Sequence, residues 1–326
     1  MNVATEVAAL QEVAGVVDRS ERGAVLVTGP DAWSFLQSLV SADLDAVGPC
    51  EGAHSLLLTP QGKLDVDFRL LRVGDEAWLD CDPGFGPQLA ASLNRFRIRV
   101  NCEVIERGGE WGSIAVRGRD AVASVGHLGV DLPDAPHAHV AWKDAVVVRV
   151  PWPDCDGVDV VGPGATVHAA AERVTAGGVT RCSPEAYEAL RIELGIPRQG
   201  FDLDERTIPQ EAFLEQDAVS FTKGCFLGQE LVCRIDTRGH VNKYLRRLTE
   251  IDDGRPPPGA EIASGGKSVG TVTSSVTDPR LPAGALGYVR HEIAPPAEVE
   301  LWWDGGAARA TVEPTWYELG GRQVTS

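Results

Sequence analysis

Apolar positions fall into two textures along the chain. Over the first two-thirds they alternate between a period of two and a period near 3.6; after residue 242 they come in short runs broken by Gly and Pro. Residues 24–27 form an apolar run closed by Gly29-Pro30, which predicts a short strand. Asp31 then stands as an N-cap before Trp33, Leu36 and Val40, with Phe35, Leu39 and Leu44 at helical spacing beside them. Residues 54–59, a Pro60-Gln61-Gly62-Lys63 turn and residues 64–73 predict a hairpin. Leu89, Leu93 and Phe96 mark a second helix, which runs into the strand-like alternation of Ile98, Val100, Cys102 and Val104. A similar unit recurs, with strands over 114–116, 146–150 and 158–161 and a helix over 165–176. This is the pattern of an α+β protein with mixed or antiparallel sheets.

Pro256-Pro257-Pro258-Gly259 is the strongest breaker in the chain. Around it, residues 244–251, 268–276, 285–289, 299–303 and 308–312 read as five or so short strands, a small barrel or sandwich. A length of 326 residues suits about two domains. The boundary is expected between about 240 and 258, which gives an α/β region over 1–242 and a β domain over 243–326.

Charge narrows the function classes. Acidic residues outnumber basic ones 47 to 30, a net charge of −17, which argues against a large nucleic-acid footprint while leaving room for a local basic pocket. No apolar run approaches the roughly 18 residues of a membrane span. Glu6 and Glu12 precede any basic residue, unlike a secretory signal, so a cytoplasmic protein is expected. The seven cysteines are an odd number and form no C-x-x-C pair, so neither a disulfide framework nor a self-contained metal site is expected. Gly265-Gly266-Lys267-Ser268 ends like a phosphate loop, but Glu261 stands where the leading glycine belongs, so a hairpin turn is predicted. Gly162-Pro163-Gly164 likewise has Val167 in place of the third glycine of a dinucleotide site. Asp154-Cys155-Asp156-Gly157 lacks the rest of a calcium loop.

Chemistry concentrates between residues 183 and 234. Ser183-Pro184 opens a helix that continues through Tyr187, Leu190, Ile192 and Leu194 and is stopped by Gly195 and Pro197. Glu193 therefore sits at the negative end of the helix dipole, disfavoured by roughly 0.3–1 kcal/mol unless donors face it. It is either a solvated carboxylate or an acceptor for a ligand with adjacent N–H donors, such as an amino-pteridine. Downstream, Gly224 and Gly228 flank Cys225 on a tight turn opening a short helix, beside Lys223. A thiol so placed is either an activated thiolate or a small thiol filling space. Cys233, mid-helix, reads as packing. Lys223 and Arg234 are the local cations available to Glu193 or to a ligand carboxylate.

Lys223-Gly-Cys-Phe-Leu-Gly-Gln-Glu230 resembles the K-G-C-[FY]-x-G-Q-E signature of the YgfZ family, folate-binding relatives of the glycine cleavage T-protein (aminomethyltransferase). Leu190-Arg-Ile-Glu-Leu-Gly195, Ile208-Pro-Gln-Glu211, and Gly270-Thr-Val-Thr-Ser274 with Ala285-Leu-Gly-Tyr-Val289 resemble further family segments in the expected order. Gly62-Lys63-Leu64-Asp65-Val66-Asp67 is similar to the T-protein stretch G-G-[IV]-x-D-D, with Val66 in place of the first Asp and Asp67 keeping the second. The resemblance implies a ring of two interleaved α/β regions and a terminal small β-barrel around a tetrahydrofolate site. It also implies that Tyr187, Glu193, Lys223, Gln229, Arg234 and Asp67 line that site, that Cys225 is a functional thiol, and that Glu193 and Cys225 face one cavity. On this reading the partners are folate and, as clients, iron–sulfur enzymes or their assembly factors, including tRNA-modifying enzymes, with no direct nucleic-acid or membrane contact. The alternative is a folate-dependent one-carbon transferase or demethylase on a small amine, with Asp67 or Asp65 as its acid–base group. A third is a scaffold whose pocket has decayed.

Overall fold

The structure, a computed structural model, describes residues 2–153, 157–252 and 254–319. The chain opens with α1 (Val3–Glu12), capped by Asn2, whose side chain accepts from the Thr5 amide at 2.8 Å. It then lays down β1 (Gly15–Asp18) and crosses into a different sheet. That second sheet holds β2 (Gly23–Thr28), β3 (Gly52–Leu58), β4 (Leu64–Val73), β5 (Glu76–Cys81) and β6 (Glu103–Glu106), all antiparallel in the order β3-β4-β5-β2-β6. Helices α2 (Ala32–Leu39) and α3 (Gly86–Phe96) cover one of its faces, burying Phe35, Leu36, Leu89 and Leu93 against Val66, Phe68 and Leu70.

The chain then returns to the first sheet with β7 (Trp111–Arg117), α4 (Ala121–Val125), β8 (His139–Trp142), β9 (Ala145–Val150), β10 (Gly157–Pro163), α5 (Gly164–Ala176) and β11 (Thr180–Cys182). Its order is β11-β1-β7-β10-β9-β8, with β1 and β11 parallel. Because β1 belongs to this sheet and β2–β6 to the other, the two α/β regions are interleaved rather than consecutive. The sheets meet through Leu26, Leu71 and Trp78 of one and Val146, Val148 and Val161 of the other.

The remaining helices are α6 (Pro184–Leu194), α7 (Glu215–Ala218) and α8 (Gln229–Arg238). As expected, the Ser183 hydroxyl caps α6 and Gly195 closes it in the left-handed region at φ 75°. The barrel follows: β12 (Lys243–Thr249), β13 (Glu261–Ser264), β14 (Lys267–Ser275), β15 (Ala285–Arg290), β16 (Ala297–Trp303) and β17 (Gly306–Glu313) close in the order β12-β15-β14-β13-β16-β17. Gly265 and Gly266, at φ 58° and 73°, make the β13–β14 turn, the hairpin predicted there in preference to a phosphate loop. The fold is thus the expected α+β ring with a small C-terminal barrel, which closes with six strands where five or so were expected.

One core ties the parts together. Val7 and Leu10 of α1, Ala186 and Leu190 of α6, Leu56, Leu58 and Leu64 of the β3–β4 hairpin, and Leu245, Leu286 and Tyr288 of the barrel all bury side chains in it. The expected strand over 98–104 is shorter than its alternation implies. Ile98 is exposed, and the ladder starts only at Glu103. The Asp31 carboxylate, expected to cap α2, instead accepts from the Asn101 amide at 2.8 Å, which holds that segment off the sheet.

Candidate functional site

Alternation along β4 sets the site. Val66, Phe68 and Leu70 turn toward the core under α2 and α3, so Asp67 and Arg69 turn the other way. On the neighbouring strands His54 and Asp80 lie directly opposite Arg69, so this face of the sheet is a patch of charge. The facing sheet answers with Arg117 at the end of β7 and Asp159 on β10, and the turn between β1 and β2 adds Arg19 and Arg22.

These groups neutralise one another in a buried network. Arg69 reaches Asp80 at 2.6 Å and Asp159 at 2.8 Å; Arg117 reaches Asp159 at 2.9 Å; Arg22 reaches Asp80 at 2.5 Å and Asp82 at 3.0 Å. Burial pushes the Asp159 carboxyl up, but the guanidiniums of Arg117, Arg69 and Arg22 outweigh it and hold it well below the usual carboxylate range. Asp80 is lowered in the same way, against its burial, by Arg69 and Arg22. Arg69–Asp159 bridges the two sheets, so the network is also the joint between them.

Above the network opens a cavity of about 160 Å³, lined by Asp67, His54, Trp152, Tyr187 and Tyr317 among others. The Trp152 and Tyr187 rings lie 5.2 Å apart at 44°. Arg19 sits 4.2 Å from the Tyr187 ring and Arg117 4.5 Å from the Trp152 ring. On the far wall, Arg191 of α6 binds Asp202 at 2.7 Å and also Glu188, which Arg198 meets at 3.3 Å. Asp67 is fixed at both ends. Its amide donates to Gln199 Oε1 at 2.9 Å, and its Oδ1 lies 2.5 Å from His54 Nε2. Such a lining suits a planar heteroaromatic ligand with N–H donors at its edge and an anionic tail.

Of the residues expected at the site, Asp67 and Tyr187 line this cavity. Glu193 does not. Arg191 points inward from α6, and two residues further on is about 200° around the helix, so Glu193 faces solvent and accepts from Gln11 Nε2 at 3.1 Å. Lys223 is half-buried, and its ammonium donates to the carbonyls of Gln37, Val40 and Ala42 at 2.7–2.8 Å. Burial pushes that ammonium down to about 8. Gln229 Oε1 accepts from the Phe226 amide at 3.2 Å, closing the turn before α8. Arg234 is exposed on α8.

Cys225 is exposed in the loop ahead of α8. The N-cap of α8 is Gly228, three residues later, so the thiol does not sit at the helix N-terminus as expected. Gly228 is required where it is: at φ 79°, an added Cβ would lie 2.4 Å from the Thr59 carbonyl. Cys233 is half-buried, and burial raises its thiol. Cys155 lies outside the described residues. The structure therefore keeps Glu193 and Cys225 out of the cavity that Asp67 and Tyr187 share, against the expectation that they face it together. Among the described residues no group of three or more His, Cys, Asp or Glu is placed to hold a metal, and no helix is long and apolar enough to cross a membrane.

His54, Arg69, Arg117, Asp159 and Trp152 belong to the site without having been picked out from the sequence. The signal for three of them is a charge set within or at the end of an apolar strand: Asp159 among valines, Arg69 before Leu70-Leu71, Arg117 after Ile114-Ala-Val. A charge so placed is buried and must be paired.

The model of the GCVT N-terminal domain matches residues 1–223. The chain is 30% identical over 335 residues to an aminomethyltransferase of Symbiobacterium thermophilum, covering 96% of this chain and 88% of that one. It is 29% identical over 325 residues to a probable aminomethyltransferase of Natronomonas pharaonis, covering 96% and 89%. Its fold is similar to the crystal structure of the glycine cleavage system aminomethyltransferase T from Bartonella henselae, with a TM-score of 0.86 at 23% identity over 97% of this chain and 89% of that one. The chain belongs to the GCVT family of aminomethyltransferases.

Proposed function

We propose that this protein binds tetrahydrofolate in the cavity between its two sheets and transfers a one-carbon unit, aminomethyl or methyl, from a small amine. Tetrahydrofolate, when bound, would supply the nitrogen that takes the carbon as the carbon's bond to the donor breaks: a methyl donor leaves as the demethylated amine, and an aminomethyl donor leaves its carbon on the folate with release of ammonia. Tyr187 and Trp152 provide aromatic surface for the pterin, and Asp67 provides a carboxylate for its N–H edge or for the reacting nitrogen. The lining suits such a ligand in its chemistry, aromatic faces beside a carboxylate and several guanidiniums.

The observation that carries this reading is the orientation of Asp67. The family stretch has two adjacent aspartates, and alternation lets only one of them face the cavity. Position 66 is fully buried in the core, so Val66 removes nothing from the site, while Asp67 remains in it. Saturable binding of tetrahydrofolate by calorimetry, with turnover against a panel of N-methyl and aminomethyl donors, is the expected result. Asp67→Asn is expected to lower turnover by about 10²- to 10⁴-fold. No binding at millimolar ligand would overturn the reading.

A second reading, that of a YgfZ-type cytoplasmic protein supporting iron–sulfur enzymes, is favoured by one observation. Cys225 is exposed on a loop tethered by the three carbonyl bonds of Lys223, as a thiol serving a protein client would be. Loss of client iron–sulfur activity in cells carrying Cys225→Ala supports it; wild-type behaviour removes it.

A further inference from the structure

His54 lines the cavity and takes no part in the proposed transfer itself. It stands on β3 with Nε2 2.5 Å from Asp67 Oδ1 and Nδ1 3.2 Å from Asp217 Oδ2 on α7. Both partners are carboxylates, which accept hydrogen bonds when ionised. A neutral imidazole has a single N–H and satisfies only one of them; the imidazolium satisfies both. Arg69, opposite in the ladder, is committed to Asp80 and Asp159, and the Tyr317 ring lies 6.2 Å away at a tilt.

The same arrangement fixes Asp67. Its amide is held by Gln199, and Gln199 is itself held by Asp82 and by the carbonyl of Asp65, both at 2.8 Å. One carboxylate oxygen is taken by His54. The other, Oδ2, accepts no hydrogen bond from any described residue, although Asp67 lines the cavity.

We propose that His54 is the positioning residue of this site, an imidazolium clamped between Asp217 and Asp67 that presents the free oxygen of Asp67 to the ligand and holds the three groups together at one net negative charge. This rests on the reading of the cavity as a tetrahydrofolate site. Burial pushes the imidazole down, but the carboxylates of Asp67 and Asp217 outweigh it and carry it up to about 10. The clamp therefore stays closed across neutral pH, where an ordinary histidine would release its proton.

The test reads His54 directly and the ligand separately. In the ligand-free protein, the His54 ring resonances, followed by NMR from pH 5.5 to 11, are expected to stay flat up to pH 8.5 and to titrate only above it. In Asp217→Asn the imidazolium loses one of its two carboxylates, so its midpoint is expected to fall by at least one pH unit. Tetrahydrofolate affinity is expected to be flat over pH 6–8.5 in the wild type and to fall on the alkaline side in Asp217→Asn. His54→Gln, which keeps a donor group on one side only and no charge, is expected to bind tetrahydrofolate about tenfold more weakly while retaining the wild-type far-UV spectrum. A His54 midpoint near 6.5, a midpoint unmoved by Asp217→Asn, or wild-type affinity in a folded His54→Gln overturns the clamp. Absence of tetrahydrofolate binding by the wild type removes the folate reading instead, and the titration of the ligand-free ring still decides whether the clamp exists.

Discussion

Lys223 and Cys225 are two residues apart in one motif and have opposite relations to the fold. The lysine ammonium satisfies three backbone carbonyls at and beyond the C-terminus of α2, groups that have no helical partner of their own. Removing it leaves those acceptors without their donor, at a cost of about 1–3 kcal/mol. Cys225 is exposed, and its loss should move stability by no more than about 0.5 kcal/mol. Urea unfolding of Lys223→Met and Cys225→Ala is expected to separate them in that order; equal losses would mean that the loop carries load through the thiol as well. The motif was legible as a unit, whereas the roles inside it depend on what lies across the chain at residues 37–42, which no local pattern reports. Glu193 illustrates the complementary case. Its position at the end of α6 was legible, but the structure turns it away from the cavity that Tyr187 lines and toward Gln11 of α1. That partner is 182 residues away in the chain, so the side chain's direction was not part of the local pattern.

At the scale of elements, the joint between the two sheets is ionic where it borders the cavity and apolar beyond it. Asp159 is its centre, since Arg117 and Arg69 both close on that one carboxylate. Asp159→Asn leaves two buried guanidiniums short of their counter-charge and is expected to cost about 3–5 kcal/mol at pH 7. The pH dependence has a definite sign. Asp159 binds its proton more weakly folded than unfolded, so its stabilisation is complete above the ordinary carboxylate range, near pH 4, and is lost as pH falls toward the folded value. Urea midpoints measured from pH 6 to 3 should fall less steeply in Asp159→Asn than in the wild type, with Asp80 supplying part of the slope that remains. An identical slope would show that Asp159 does not carry the acid sensitivity. The strands of this joint were legible from their valines and leucines. The pairing of a charge on β4 with a charge on β10, 90 residues away, was not, because it follows from how two sheets face each other rather than from the pattern within either.

Across the whole molecule the barrel acts as the third wall of the ring. It contributes Leu245, Leu286 and Tyr288 to the same core as α1 and α6. Its β14 is tied to the α/β region by buried polar contacts, Ser274 Oγ to Asp202 Oδ1 at 2.8 Å and Arg191 Nη2 to Ser274 Oγ at 2.8 Å. The chain beyond the last barrel strand then turns back, so that Trp316 and Tyr317 line the cavity. A small C-terminal barrel was legible from short β segments between glycines and prolines, but this return was not, because two aromatics near the end of a chain carry no periodicity. Residues 1–242 alone would expose the α1 and α6 side of the shared core, strand Arg191 and Asp202 without Ser274, and leave the cavity open where Tyr317 closes it. The full chain is therefore expected to unfold in a single calorimetric transition, and saturation with tetrahydrofolate at 100 times its Kd should stabilise that transition as a whole, by about 2.7 kcal/mol. The 1–242 fragment is expected to lack the near-UV signature of packed aromatics and to bind tetrahydrofolate at least a hundredfold more weakly. Two separate transitions in the full chain, or a fragment that binds like the intact protein, would mean that the ring closes without its barrel.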